Sequence, residues 1–231
     1  TSSAEATVTK NLGSVSNRGI EISADVDVIK SKGLTWNIGA NVTFLKNKIL
    51  TLPEQNREKG IVSGIRKYAE GHDMYDFWLY QYVGVDQLTG NALYLPDLDS
   101  YYLSDATEDE KKGKSALPEE YLVMINGKPY STFTTYAKRD WSGSVIPKAY
   151  GSISSSLRWN NFTLSALGTY SFGGKTLDYS YQSLMSMSGS VSTLHSDLLK
   201  AWNGVPAGIT ESSLNRIDPN GIPVVDFERS S

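Results

Sequence analysis

The sequence predicts an all-β protein built from long antiparallel strands. Two observations carry this prediction: apolar and polar residues alternate over whole segments, and short turns join these segments in pairs. Alternation places successive side chains on opposite faces of a strand, so each segment has one apolar and one polar face. The composition agrees, since 14 Tyr, 5 Trp and 20 Gly suit aromatic-rich strands joined by turns.

Six segments are predicted as strands, and short turns join the first to the second, the third to the fourth and the fifth to the sixth. In chain order they are residues 18–29, 34–44, 76–86, 91–96, 149–159 and 162–172. The short turns are KSKG, QLTG and the dipeptide of Asn160 and Asn161. The stretches 47–73, 97–146 and 173–231 are predicted to be loop-like, because turn and charge signals dominate them. Short and long connections therefore alternate along the chain.

This alternation is typical of antiparallel transmembrane β-barrels, which have short turns at one rim and long extracellular loops at the other. The longer predicted strands have about 10 to 12 alternating residues, close to the ~9–11 that a tilted strand needs to cross a bilayer. Aromatic residues also lie near strand ends, as in interfacial girdles. They are Trp36, Phe44, Trp159, Phe162, Tyr170 and Phe172. A soluble β-sandwich, whose apolar faces pack against a second sheet, remains the alternative.

Composition excludes several other classes of protein. The net charge of −3 lacks the basic excess of a nucleic-acid-binding surface. The absence of Cys excludes disulfides, thiolate metal sites and cysteine nucleophiles. No apolar run approaches the ~18 residues of a membrane-spanning helix. The first residues lack the apolar segment of a signal peptide, so residue 1 is interpreted as cytoplasmic or as an internal position of a longer protein.

No catalytic motif is present, and we predict that the protein is not an enzyme and needs no cofactor. The sequence contains neither a phosphate-binding glycine loop nor the G-x-S-x-G turn of serine hydrolases. The two histidines, His72 and His195, lack metal-ligand spacing and are interpreted as structural or solvated, so no metal site is predicted.

The excursion 97–146 contains the candidate ligand-binding residues. They are Asp97, Asp99, Tyr101, Tyr102 and Trp141. Their aromatic rings could stack on a sugar or pack against a peptide, and packing within the loop is the alternative. Together with Asp105, the two aspartates also offer oxygen ligands of the kind that Ca²⁺ prefers.

A helix is predicted over residues 192–203, with Ser192 as its N-cap and Gly204 beyond its end. Leu194, Leu198 and Trp202 follow at intervals of four and would form one face. This face either packs on the rim of the protein's own sheet or contacts a partner protein.

Four stretches in chain order carry a family resemblance. They are NLGSVSNRGIEI, YQYVGVDQLTGNALY, DWSGSVIPKAYGSISSSLRWNNFTLSALGTYSFGGK and VSTLHSDLLKAWNG. They resemble the strand opening, the tyrosine-rich hairpin, the strand pair with its F-G-G-K exit, and the loop helix of one family. This family is the SusC/RagA-type TonB-dependent outer-membrane transporters of Bacteroidetes, in the late part of their barrel.

The resemblance implies that residues 1–231 are part of a barrel domain, about six strands of a 22-stranded barrel. A plug domain, a TonB-contacting segment and the last strands are expected outside this sequence. The implied function is TonB-driven import of oligosaccharides or peptides across the outer membrane, with a SusD-like surface lipoprotein as partner. Lipid would contact the apolar faces, and no nucleic acid is involved. The alternative function is a secreted β-sandwich module that binds glycans.

In the barrel the polar faces would line the lumen. The lumen-facing residues would be Glu21, Asp25, Asp27, Asn37, Asn41, Thr163, Ser165 and Thr169.

Overall fold

The computed structural model describes residues 13–186 and 193–225, and strands make up most of the regular structure in this part. The strands are β1 Ser14–Lys30, β2 Leu34–Thr51, β3 Ile61–Ser63, β4 Arg66–Tyr68, β5 Asp76–Tyr80, β6 Tyr82–Asp86, β7 Ala92–Tyr94, β8 Tyr101–Tyr102, β9 Ser115–Ala116, β10 Leu122–Ile125, β11 Lys128–Ser131, β12 Arg139–Ser144, β13 Ala149–Trp159, β14 Phe162–Phe172 and β15 Ile217–Asp218. The helices are α1 Glu108–Lys111, α2 Tyr179–Met185 and the 3₁₀ helices Glu54–Asn56, Glu119–Tyr121, Thr134–Tyr136 and Ser196–Lys200. None of the helices in this part of the chain is long and apolar enough to span a membrane.

The chain divides into two compact units. The first comprises the described part of Thr1–Trp78 together with Trp141–Thr176. The second comprises Leu79–Asp140 together with the described part of Leu177–Ser231.

The main sheet belongs to the first unit and has the order β1–β2–β13–β14, with every neighbouring pair antiparallel. β1 and β2 have 17 and 18 residues, and β13 and β14 have 11 each. The last two strands match the predicted bounds, whereas the first two extend beyond them. The long antiparallel strands that alternation predicts are therefore confirmed for these four segments.

The register of the main sheet confirms the two predicted faces, because directly opposed residues of neighbouring strands share a face. One row across the four strands consists of Val26, Ile38, Ser155 and Ala166, and another row of the same face consists of Ile22, Val42, Gly151 and Tyr170. A row of the opposite face consists of Ser23, Asn41, Ser152 and Thr169. Apolar rows thus lie on one side of the sheet and polar rows on the other.

The prediction that segments 76–86 and 91–96 belong to this sheet is wrong, so it has four of the six predicted strands. The segment 76–86 divides at Gln81 into β5, in a sheet of order β12–β5–β4–β3, and β6, in a sheet of order β10–β11–β7–β6–β15. At Gln81 the N–H donates to Lys138 O at 2.9 Å while the carbonyl accepts from Leu95 N at 3.0 Å, so the backbone changes partners there. Alternation identifies a strand and its faces, but the pairing partner depends on residues distant in sequence.

Two of the three predicted short turns lie at one end of the main sheet, as expected. Leu34 pairs with Trp159, and Asn160 N–H donates to Gly33 O at 2.8 Å, so the KSKG turn and the Asn160 turn are neighbours. Asn160 has φ of 49°, a left-handed conformation that Asn tolerates better than most residues. The QLTG turn joins β6 to β7 and therefore belongs to the five-stranded sheet β10–β11–β7–β6–β15, which corrects its predicted place.

The stretch 97–146 was expected to be loop-like, but it contains β8 to β12. These strands have two to six residues, too few for alternation to distinguish them from turns. In the second unit the side chains of Val85, Leu93 and Ile125 are almost completely buried. The excursion therefore includes part of a packed core.

Gly151 lies at a close approach of strands in the main sheet. A Cβ there would overlap Asn41 O and lie 2.7 Å from the hydroxyl of Tyr170, which donates to Asn41 O at 2.8 Å. We expect Gly151→Ala to lower the free energy of unfolding by about 1–3 kcal/mol, because the strands must separate to admit the methyl group. Urea unfolding in detergent measures this loss.

Gly168→Ala is the matched control on the adjacent strand. The nearest atom to its added Cβ is Ile153 O at 3.9 Å, an ordinary contact distance. Equal stability of the Gly151→Ala and Gly168→Ala variants would contradict the close-approach argument.

Candidate functional site

The polar face of the main sheet has two groups of hydrogen-bonded side chains. Asn37 Nδ2 donates to Asp25 Oδ1 at 2.8 Å and to Asp27 Oδ1 at 3.2 Å. Asn41 Nδ2 donates to Ser152 Oγ at 2.8 Å, and Ser152 N–H donates to Asn41 Oδ1 at 3.1 Å. A shallow groove of about 270 Å³ lies along these side chains. Carboxylate, amide and hydroxyl groups of this kind suit contact with water and polar solutes rather than with lipid.

The predicted ligand-binding residues of the second unit have different roles. Asp97 Oδ1 accepts hydrogen bonds from Asp99 N at 3.2 Å and Ser100 N at 3.3 Å, so Asp97 stabilises a turn. Tyr101 and Tyr102 form β8, which pairs in parallel with β9, and both rings line a cavity of about 390 Å³. Of the predicted ligand-binding residues, Tyr101 and Tyr102 are therefore the two that line this cavity.

Trp141 lies in the first unit, on β12. Its ring stacks on His72 at a centroid distance of 3.7 Å and meets Trp78 edge-on at 5.0 Å. The ammonium of Lys67 lies 4.3 Å from the centroid of the Trp78 ring, a cation–π distance. Trp141 therefore packs against His72 and Trp78, and its stacking on a ligand stays a prediction.

The calcium alternative gains no support from the structure. Within residues 13–186 and 193–225, no group of three or more His, Asp or Glu side chains is placed to hold a metal ion.

The predicted helix over residues 192–203 is wrong in length and type. Ser192, its predicted N-cap, lies outside the described residues. The observed element is the 3₁₀ helix Ser196–Lys200. Its N-cap is His195, whose Nδ1 accepts a hydrogen bond from Asp197 N at 3.1 Å. The helix ends because the next segment becomes extended: Trp202 N–H donates to Ile222 O at 2.9 Å.

Leu194, Leu198 and Trp202 therefore do not share a helical face. Leu194 is exposed, Leu198 is half-buried, and a 3₁₀ helix has three residues per turn, so positions four apart diverge. Trp202 Nε1 donates to Gln87 O at 2.8 Å, and its ring lies where a Cβ of Gly90 would be. Trp202 thus packs on the turn between β6 and β7, and Gly90 makes room for it.

The residue pair that sequence reasoning missed is Asp86 with Arg216. Arg216 Nε and Nη2 donate to the two carboxylate oxygens of Asp86 at 2.8 and 2.7 Å. Asp86 is completely buried and Arg216 is 8% exposed. Asp86 Oδ1 also accepts from Leu88 N at 3.1 Å, and Oδ2 from Thr89 Oγ1 at 3.1 Å. The family-like stretch YQYVGVDQLTGNALY, which contains Asp86, was a signal for this residue, but nothing local indicated Arg216 as its partner.

The environment of Asp86 keeps it ionised. Burial opposes ionisation, but the hydrogen bonds and charge of Arg216, with the Leu88 N–H and the Thr89 hydroxyl, outweigh it and hold the pKa of Asp86 below its usual 3.8. The pair joins β6 to the segment before β15, so it is a structural connection across the second unit.

The fold is mostly antiparallel β, with one sheet that is polar on one face and apolar on the other. No protein-family model matches the chain. Two TonB-dependent receptors of Formosa agariphila are similar to it: P39 is 31% identical over 87 residues, 38% of this chain and 8% of that protein. P3 is 25% identical over 202 residues, 84% of this chain and 18% of that protein. The chain thus spans less than a fifth of the length of either relative.

Solved structures agree on the fold. The RagAB peptide transporter superposes with a TM-score of 0.61 at 20% identity, over 84% of this chain and 19% of that chain. The RagAB peptide importer in its closed-closed state superposes with a TM-score of 0.51 at 19% identity, over 71% of this chain and 16% of that chain. This chain therefore shares its fold with part of the chain in these RagAB structures.

These similarities confirm the resemblance to the SusC/RagA-type TonB-dependent receptors that the sequence motifs indicate. The matched proteins are named as receptors and transporters, which confirms the prediction that this chain is not an enzyme.

Proposed function

We propose that residues 1–231 form part of the wall and outer loops of a TonB-dependent importer in the outer membrane. The observation that carries this proposal is the main sheet, whose apolar face is exposed. Ile20, Phe162 and Leu164 are 65%, 75% and 70% exposed. A water-exposed apolar face of this extent is unfavourable, whereas lipid would cover it without cost.

In this proposal β1, β2, β13 and β14 are four strands of a 22-stranded barrel, and their polar rows face the lumen. The lumen-facing side chains include Asp25, Asn37 and Asn41. The hydrogen bond from Asn37 to Asp25 and that from Asn41 to Ser152 keep them oriented. Sheets of the second unit would belong to the extracellular loops. A plug domain and a TonB-contacting segment would complete the importer.

The solute would be an oligosaccharide or a peptide. The RagAB structures are described as those of a peptide transporter, which supports the peptide class. Asp97, Asp99, Tyr101 and Tyr102 are the proposed contacts, with Asp97 acting through the turn that it stabilises.

The proposed partner is a SusD-like lipoprotein on the cell surface. Leu194 and Leu199, at 39% and 89% exposure, flank Leu198 and present apolar surface near the 3₁₀ helix. Trp202 would hold this segment on the turn between β6 and β7 through its hydrogen bond to Gln87 O.

The alternative, a secreted β-sandwich that binds glycans, requires a second sheet over the apolar face. The exposure of Ile20, Phe162 and Leu164 favours the importer instead.

Spin-label accessibility tests the wall. The sequence has no Cys, so single Cys variants report on one position each within it. We expect nitroxides at Ile22→Cys and Leu164→Cys to be reached by oxygen from the lipid phase. Nitroxides at Asp25→Cys and Ser165→Cys should instead be reached by a water-soluble nickel chelate. The same accessibility on both faces would contradict the barrel wall.

Uptake measurements test import itself. Cells that lack the gene, and cells that lack TonB, should both lose uptake of the solute. Normal uptake in cells without TonB would contradict the proposed TonB-dependent import, but it would not contradict the proposal that the main sheet is part of a barrel wall.

A further inference from the structure

The second unit contains a concavity of about 330 Å³ that differs in character from the cavity beside Tyr101. Its walls are apolar and come from Leu95, Pro96, Leu98, Pro129 and Tyr130. Its charged groups are Lys128, Lys138 and Asp99. An apolar cleft with a few charged groups is the usual form of a small-molecule site.

Backbone hydrogen bonds hold both sides of this concavity in place. Lys138 N–H donates to Leu95 O at 2.7 Å, and Asp97 N–H donates to Tyr136 O at 2.8 Å. Pro96 and Ala137 form an antiparallel bridge between the same two segments. The Leu95 and Lys138 walls are therefore fixed relative to each other before any ligand arrives.

A tight turn places Lys128 at the remaining wall. Asn126 and Gly127 both have positive φ, 50° and 76°, as a two-residue hairpin requires. β11 begins directly after this turn at Lys128 and continues through Pro129 and Tyr130. The turn that Asp97 stabilises positions Asp99 at the rim.

The lysines have little charge compensation. The side-chain ammonium of Lys128 has no hydrogen-bond or ion-pair partner among residues 13–186 and 193–225. Lys138 Nζ lies 4.0 Å from Asp140 Oδ2, at the outer limit of an ion pair. Two ammonium groups and one carboxylate, that of Asp99, line the concavity, so its lining has an excess of positive charge. A cationic cleft with apolar walls is complementary to an organic anion.

We propose that this concavity binds the carboxylate of an acidic solute, with Lys128 and Lys138 as the charged contacts and Tyr130 with the two prolines against the solute's body. The inference rests on the proposed function, since it names the class of solute that the importer takes. An acidic peptide and an acidic oligosaccharide present the same carboxylate, and the experiment distinguishes them.

Calorimetric titration of the purified protein, in the longest form that the gene encodes and in detergent, tests this site. The probes are triglutamate and trigalacturonate, each with its neutral counterpart, triglutamine and galactotriose. We expect one acidic probe to bind more tightly than its neutral counterpart, and the one that does identifies the source of the carboxylate. Lys128→Gln combined with Lys138→Gln should weaken that binding at least about tenfold. High salt should weaken it in the unmodified protein.

Lys112→Gln is the matched control, because Lys112 is exposed, is paired with Asp109 at 2.8 Å and is absent from the concavity. It should leave the affinity unchanged. Acidic probes that bind no better than neutral ones, or a double variant with full affinity, would overturn the proposal.

Titration in detergent does not depend on TonB, so its outcome is separate from the uptake test. If uptake depends on TonB but the double variant binds with full affinity, the proposed importer function is supported and the proposed carboxylate site is contradicted. Circular dichroism that matches the unmodified protein verifies that the double variant is folded.

Discussion

Replacing Asp86 by Asn is expected to destabilise the second unit by about 3–5 kcal/mol, because the buried guanidinium of Arg216 loses its countercharge. The carboxylate of Asp86 accepts two hydrogen bonds from Arg216, at 2.8 and 2.7 Å, and is completely buried. The Asn amide can keep an acceptor for the Leu88 N–H, but it offers only one oxygen to the two donors of Arg216. Hydrogen exchange of the β6, β7 and β15 amides measures the free energy of local opening.

Asp109→Asn is the matched control for this variant. Asp109 is 88% exposed and pairs with Lys112 at 2.8 Å, and exposed pairs of this kind contribute at most about 1 kcal/mol. If the amides of β6 and β7 exchange equally fast in both variants, the Asp86–Arg216 pair does not stabilise the second unit.

The same carboxyl gives this stability a defined dependence on pH. Because the pKa of folded Asp86 lies below 3.8, its contribution is present above that unfolded value and is lost as pH falls through the folded pKa. Exchange protection of β6 and β7 should therefore decrease below about pH 4 in the unmodified protein. In Asp86→Asn this part of the decrease should be absent.

Replacing Ile38 by Arg is expected to lower the free energy of unfolding in lipid vesicles by about 2–4 kcal/mol, the cost of a charge near the bilayer midplane. Ile38 lies on the apolar face between Val26 and Ser155. Leu164 lies on the same face, in the row of Trp36 and Leu157, one row closer to the short turns. Leu164→Arg should therefore cost less, because the penalty decreases toward the interface.

Asn37→Arg and Ser165→Arg are the controls, since both residues lie on the polar face of the same strands. Asn37 is bonded to Asp25 and Asp27, so a cation there would meet two carboxylates. Urea titration in vesicles should show a much milder loss for these two variants. Equal losses on both faces would indicate a packed core on each side instead of a lipid-facing wall.

The sequence by itself determined the strands and faces of the main sheet. β13 and β14 have the predicted bounds, and Ile22, Val42 and Tyr170 share the face that alternation assigned to them. Alternation succeeds here because the period of two is a property of one strand, repeated over 11 or more residues. The motifs in chain order also indicated the family, because they are local patterns.

The tertiary structure alone decided which strands pair and which side chains meet. Gln81 changes partners between β5 and β6, and its neighbours Leu95 and Lys138 are 14 and 57 residues away along the chain. Arg216 meets Asp86 across 130 residues. The bound of the 3₁₀ helix at Lys200 likewise follows from the pairing of the next segment with Ile222. Such contacts depend on how the whole chain packs, and no local pattern encodes the partner.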